Sequence, residues 1–310
     1  MNSIRLKSPA KLNLYLKVIN KRKDGYHNLV TVFERINLCD DIKMTANTTG
    51  AIRIRSNNSE LPTGPKNLIY RVAKLLQKEF SVFLGVDVAI TKRIPIAAGL
   101  GGGSSNAATA LLGLNKIWNL HLNIRQLAAL GERIGSDVPF FLYDYNWALG
   151  VERGNKIQKL PSQRKLWHIL VVPRIKVYSG EVFGALKLPA GPFLAPATSP
   201  KSPLKGISGA PTNILTKARD DVNILTRALR KDDLLRIGSL LSNDLETTIV
   251  RLHPNLSKIK NKLKILKAVG VVFSGSGPAV FGLAESSRQA HALKAILSKK
   301  YAQVFAVCTL

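Results

Sequence analysis

The residues of this 310-residue chain whose types and spacing suit chemistry are a lysine, an aspartate and a run of glycines. Lys11 and Asn13, in Pro9-Ala10-Lys11-Leu12-Asn13-Leu14, project from one face of any strand that contains them. Asp137, in Gly135-Ser136-Asp137-Val138-Pro139, either caps a helix ahead of the proline or serves as a catalytic carboxylate. The segment Pro95-Ile96-Ala97-Ala98-Gly99-Leu100-Gly101-Gly102-Gly103-Ser104-Ser105 places four glycines and two serines ahead of a helix-forming run, Ala107 to Trp118. Glycine leaves no side chain between backbone N–H groups and an incoming anion, and a helix that starts there adds unpaired N–H groups and partial positive charge. That is a socket for a chain of phosphates. It is not a Walker A loop, because no lysine follows until Lys116. Nor is it a dinucleotide fingerprint, because Gly99-x-Gly101 is followed by Ser104 and the first acidic residue downstream is Glu132. A second motif, Phe273-Ser274-Gly275-Ser276-Gly277-Pro278, reads by itself as a tight turn between strands. Neither has the Gly-x-Ser-x-Gly spacing of a hydrolase nucleophile.

The elements that must hold these residues follow from periodicity. Ala10 to Val18 alternates, with Leu12, Leu14, Leu16 and Val18 on one face and Lys11, Asn13, Tyr15 and Lys17 on the other, and predicts a half-buried strand. Asp24-Gly25 is a turn before an extended run, Leu29 to Leu38. Helical spacing covers Asn67 to Phe80, a strand Val86 to Thr91 feeds the glycine segment, and a further helix spans Ile124 to Ile134 between Asn123 and Gly135. In the second half, a strand at Ile169 to Pro173 precedes helices at Asp221 to Arg230, Asp233 to Thr247 and Asn255 to Lys267. The chain closes with strands Val271 to Phe273 and Ala279 to Leu283, a helix Ser287 to Lys299, and a strand Gln303 to Val307. The proline-rich segment 187–212 reads as an exposed insertion with no regular element.

Composition bounds the function class. The chain is long enough for two domains, with the division expected at 1–160 and 161–310. Cys39 and Cys308 give no disulfide framework and no metal-ligand spacing. The uncharged window Ile94 to Asn115 holds Pro95 and five glycines and is too polar for a membrane span. With no signal-peptide pattern at the N-terminus, a cytoplasmic protein is expected. The formal net charge of +27 favours anionic partners, so a nucleic-acid-binding module is the rival reading. The basic residues are spread along the chain without interleaved aromatics, which disfavours that rival. No oligomeric state follows from the sequence.

The pattern Pro-x-x-x-Gly-Leu-Gly-Gly-Gly-Ser-Ser-Asn-Ala-Ala resembles the phosphate loop of the GHMP kinases, and four further segments resemble that family in the same order along the chain. The resemblance implies an α+β fold of two domains, the N-terminal one like domain 2 of ribosomal protein S5 and the C-terminal one ferredoxin-like, with the site between them. It implies a phosphotransferase to an alcohol, using ATP with Mg²⁺ carried on its phosphates. Ser105 is offered as a ligand to that ion, and no residue set marks a metal site of its own. ATP would meet Pro95 to Ser105, and Asn67-Leu68 resembles the family's adenine segment. Lys11 and Asp137 match the catalytic pair: the aspartate takes the proton of the attacking hydroxyl, and the lysine keeps it ionised and offsets the charge of the moving phosphoryl group. Asp24-Gly25-Tyr26-His27 matches the branch whose small-molecule substrate carries a cytidine diphosphate group, 2-C-methyl-D-erythritol being phosphorylated on its 2-hydroxyl. There Asn13, Tyr26 and His27 contact substrate, Phe183 (or Tyr178) supplies a second aromatic wall, and Gly275, Ser276 and Gly277 approach the phosphates. Kinases for mevalonate or homoserine are disfavoured because those substrates have no base to hold.

Overall fold

The computed structural model describes residues 2–162, 164–187 and 212–310. The chain forms two compact units, and its two longest strands, β1 (Ser3–Lys21) and β2 (His27–Asn47), contribute residues to both. The first unit comprises Met1–Ala10, Leu38–Ile96 and Gly101–Asp144. Within it, β3 (Ile52–Ser56) runs parallel to β4 (Gly85–Thr91), joined by α1 (Leu68–Glu79). The far end of β2 pairs antiparallel with β4, from Asp41 opposite Thr91 to Asn47 opposite Gly85. α1 buries Ile69, Val72, Ala73 and Leu76, the i, i+3, i+4, i+7 stripe of an amphipathic helix. It packs on α2 (Gly102–Ile117), which also meets α3 (Ile124–Ile134) and α4 (Val138–Leu142). α3 starts on a reciprocal capping box between Asn123 and Gln126 and stops at Gly135, as its sequence predicts.

The second unit comprises Lys11–Asn37, Ala97–Leu100 and Tyr145–Leu310. The hairpin β5 (Trp147–Val151) and β6 (Lys156–Lys159) pairs through β5 with Thr31–Glu34 of β2. β7 (Trp167–Val172) leads to α5 (Ser179–Gly184), α6 (Thr212–Lys231), α7 (Leu234–Leu240), the short β8 (Ser242–Asn243), α8 (Glu246–Leu252) and α9 (Leu256–Ile265). β9 (Val269–Phe273), β10 (Val280–Ala284), α10 (Ser287–Leu297) and β11 (Gln303–Cys308) close the chain. The order β11-β7-β10-β9, antiparallel throughout, is the ferredoxin-like arrangement. Leu256, Ile259 and Leu263 of α9 and Leu293 and Leu297 of α10 share one core with Ile169, Val171, Phe273, Val280 and Val304, so both helices cover the same face of that sheet. Each such side chain contributes roughly 1.5–3 kcal/mol by burial. Cys39 and Cys308 are both buried and form no disulfide, as expected of small apolar residues.

Three sequence expectations need correction. β1 is not half-buried: from Ala10 to Leu16 both faces are covered, and Lys11 and Asn13 are only 4% and 2% exposed. Alternation reports polarity, and here the polar face is covered by other polar groups. The helix expected over Asp233 to Thr247 breaks after Leu240, because Asn243 leaves the helical path to bond two carbonyls elsewhere and Ser242–Asn243 pairs with Tyr15–Leu16. α2 begins at Gly102, so Gly102, Gly103, Ser104 and Ser105 form its first turn instead of preceding it. The expected 187–212 insertion lies, apart from its first and last residues, outside the described residues.

Candidate active site

In the second unit the geometry centres on Lys11. Its Nζ donates to Asn13 Oδ1 and lies 5.4 Å from the centre of the Phe33 ring. Asn13 Nδ2 donates to Thr31 Oγ1 (2.7 Å), whose hydroxyl donates to the Tyr15 carbonyl (2.8 Å). The stretch Ala97–Leu100 is held to the same place by three bonds. Lys11 N donates to the Leu100 carbonyl (3.0 Å), Ser274 Oγ to the Gly99 carbonyl (3.1 Å), and Ala279 N to the Ala98 carbonyl (3.3 Å). Gly99, at φ +76°, has no room for a side chain, since a Cβ would stand 2.1 Å from the Ser274 carbonyl oxygen. A Cβ on Gly275 would crowd Lys11 Nζ, Asn13 Oδ1 and the Gly99 carbonyl, each at 3.2 Å. Asn243 Nδ2 bonds the Phe273 and Gly275 carbonyls (2.9 and 2.7 Å), while its Oδ1 accepts from Leu245 N (3.0 Å). Ser276 Oγ lies 2.8 Å from Ser179 Oγ. Ala97 takes φ +53°, a conformation disfavoured for alanine.

In the first unit, α2 opens at Gly101 in the left-handed conformation, with no side chain capping it. Gly101 therefore offers the first-turn N–H groups no side-chain cap, and Gly103 on that turn is exposed. A Cβ on Gly103 would touch only Leu68 Cδ1 at 3.6 Å, so Leu68 borders the turn. Asn67 caps α1: its Oδ1 accepts from Ile69 N (2.8 Å) and its Nδ2 donates to the Pro62 carbonyl (2.6 Å). Gly135 lies against Ser104, whose Oγ is 3.7 Å from where a Cβ would be. Asp137, two residues on and half-buried, occupies the N-cap position of α4 but makes no capping hydrogen bond. Ser105 is fully buried, and its hydroxyl accepts from Ser8 Oγ (2.7 Å). Among the described residues no group of His, Cys, Asp or Glu side chains is arranged to hold a metal ion.

The aromatic residues divide. His27, 7% exposed, stacks on Phe183 with centroids 5.2 Å apart and planes 29° apart. Burial, and secondarily the charge of Lys21, hold the His27 imidazole below its ordinary pKa, so it is neutral at pH 7. Tyr26 is instead 53% exposed, with the Arg153 guanidinium 4.8 Å over its ring. Tyr178, the alternative wall, is exposed at the N-cap of α5.

Sequence reading missed Asn243 and Thr31, and a buried cluster in the first unit formed by Ser8, Asp40, Lys92 and Asn106. No local pattern marks these residues, because their partners are 18 to 98 positions away in the chain.

The family model described as the GHMP kinases N terminal domain matches residues 67–145, and that described as GHMP kinases C terminal matches residues 225–303. A 4-diphosphocytidyl-2-C-methyl-D-erythritol kinase of Geobacillus kaustophilus is 40% identical over 98% of this chain and 96% of its own length. One of Bacillus cytotoxicus is 39% identical over 97% and 95%. A solved 4-(cytidine 5'-diphospho)-2C-methyl-D-erythritol kinase superposes with a TM-score of 0.75 at 29% identity, covering 98% of each chain. No helix among the described residues is long and apolar enough to cross a membrane. The chain belongs to the GHMP kinase family, in its 4-diphosphocytidyl-2-C-methyl-D-erythritol kinase branch.

Proposed function

We propose that this chain transfers the γ-phosphoryl group of ATP to the tertiary 2-hydroxyl of 4-diphosphocytidyl-2-C-methyl-D-erythritol, a step of non-mevalonate isoprenoid precursor synthesis. The observation that carries the reading is the 40% identity, over 98% of this chain, to a relative named as that kinase. We read the chain as two family domains, 1–160 and 161–310; the matched segments 67–145 and 225–303 fall one in each, which supports the division. MgATP is the phosphoryl donor and co-substrate, with the ion carried by phosphate oxygens and water. The glycine-rich segment from Pro95 to Ser105 takes the triphosphate, with the uncapped first turn of α2 donating N–H groups to it.

The substrate hydroxyl oxygen bonds to the γ-phosphorus as the bond to ADP breaks, and the hydroxyl proton passes to Asp137. Lys11 supplies positive charge where negative charge accumulates on the transferring oxygens; its bond to Asn13 fixes its direction. Such transfer needs mainly positioning and charge stabilisation. Gly275 and its neighbours keep the Lys11 side chain uncrowded. The His27–Phe183 pair takes the cytosine, where a neutral imidazole can donate from one nitrogen and accept at the other. The enzyme works in the cytoplasm on a small molecule, without a membrane or nucleic-acid partner.

The test is ADP release with the cytidine diphosphate alcohol, run beside mevalonate and homoserine. Asp137→Asn is expected to lose at least a hundredfold in kcat, on the order of a general base's contribution, while a nonhydrolysable ATP analogue still binds. Wild-type turnover by that variant removes Asp137 from the mechanism. Equal turnover of all three alcohols removes the substrate assignment.

A further inference from the structure

Beneath the glycine start of α2 lies a buried ion pair to which phosphoryl transfer, as described, gives no role. Lys92 Nζ is 2.6 Å from Asp40 Oδ2, and the two side chains are 3% and 0% exposed. Lys92 also donates to the Ile94 carbonyl (2.8 Å). The Asp40 carboxylate accepts three more bonds: Arg93 N (2.7 Å) and Ile94 N (2.9 Å) on Oδ1, and Asn106 Nδ2 (2.9 Å) on Oδ2. Asn106 Nδ2 reaches Ser8 Oγ (2.8 Å), and that hydroxyl donates to Ser105 in the first turn of α2 (2.7 Å). One carboxylate thus grips the connection from β4 to α2 at both ends.

Two physical points say this is more than structural glue. A buried ion pair adds little stability over an apolar pair of the same volume, because desolvating both charges offsets their attraction. The lysine also stands at the unfavourable end of a helix. Its ammonium is 3.1 Å from where a Cβ on Gly102 would be, against the first turn, where the helix itself carries partial positive charge. Two positive features side by side oppose each other, and the Asp40 carboxylate offsets that opposition. Burial lowers the lysine's pKa and Asp40 counteracts that shift. The carboxylate therefore keeps a cation where the helix alone would repel one.

We infer that Lys92 and Asp40 are positioning residues for the ATP triphosphate: they hold the start of α2 in the orientation that presents its N–H groups to the phosphates. The inference rests on the kinase reading above. Lys92 acts through the helix and is not itself placed against the nucleotide.

The test is calorimetric titration of AMP-PNP into the full chain, with thermal unfolding and steady-state kinetics alongside. Lys92→Met alone leaves the Asp40 carboxylate buried without its cation and is expected to lower Tm. Lys92→Met with Asp40→Asn removes both charges and is expected to recover most of that Tm, yet to bind AMP-PNP at least tenfold more weakly. KM for the alcohol should stay within twofold of wild type. A double variant that binds AMP-PNP as tightly as wild type overturns the inference and leaves the pair purely structural. Should that variant not fold, Ser8→Ala, which deletes one hydroxyl of the chain to Ser105, carries the test. It is expected to weaken AMP-PNP three- to fivefold at unchanged alcohol KM, and unchanged affinity overturns the inference. A wild-type chain that fails to bind AMP-PNP sinks the kinase reading itself, a different result from variants that bind as well as a binding wild type.

Discussion

The two glycine-rich turns look alike in sequence and differ in what their glycines do. The turn around Gly275 is lashed down: Asn243 holds two of its carbonyls, Ser276 meets Ser179, and Ser274 reaches across to Gly99. Its glycine leaves room for protein atoms, the Lys11 ammonium among them. The turn at the start of α2 is the opposite. Gly101 has no side-chain cap, and Gly103 faces open space apart from Leu68. Its glycines leave room for something that is not protein. A glycine in such a segment thus serves either close packing or open space, and the surrounding packing decides which. Gly99 shows the division inside a single motif, since four positions before Gly103 it already serves close packing.

This contrast can be broken by substitution. Gly99→Ala is expected to have the largest effect, because its Cβ would meet a backbone oxygen at 2.1 Å in a left-handed conformation. Overpacking and backbone strain together predict a loss of roughly 2–5 kcal/mol, read by denaturant unfolding. A variant as stable as wild type would show that the close approach to Ser274 does not hold. Asn243→Ala comes next. It strands two carbonyls and one N–H in a buried place, a loss of about 2–4 kcal/mol, and kcat should fall as the support under Lys11 loosens.

Gly103→Ala should leave stability within about 1 kcal/mol of wild type, since alanine suits a helix better than glycine. KM for ATP should nevertheless rise about tenfold, a loss of roughly 1.4 kcal/mol of binding, because a methyl group obstructs the phosphates. Unchanged KM would make this turn as structural as the other. The smallest effect concerns His27, in the unit that holds the tied turn. Its lowered pKa means that acidification protonates the unfolded chain first. The stability it contributes is present above the ordinary histidine pKa of about 6.5 and is lost as pH falls from there through the lowered value. Wild-type Tm should drop more than that of His27→Gln between pH 7 and 5. Equal drops would mean that the imidazole is solvated.

Much of the site could be read from the sequence because its signals are short-range. Asn67 and Asn123 were legible as helix starts from the bonds an Asn side chain can make two or three residues ahead. Lys11 and Asn13 were legible as neighbours from strand periodicity alone. The Asp137 segment was recognisable, but only the fold reveals that its side chain does no capping. Tyr26 and His27, adjacent in sequence, part company in space because successive strand and turn residues point opposite ways.

The order of amino acids settled the identity and order of most elements, and the glycine content that a phosphate socket requires. Both depend on interactions within one or two turns of chain. Tertiary structure settled which polar groups are buried and with whom. Asn13 finds Thr31 and Asp40 finds Lys92, while Asn243 leaves its helical path to hold a turn 30 residues on. A buried polar group must find a partner or lose several kcal/mol of solvation, and the partner that wins is set by where the folded backbone passes, which no local pattern records.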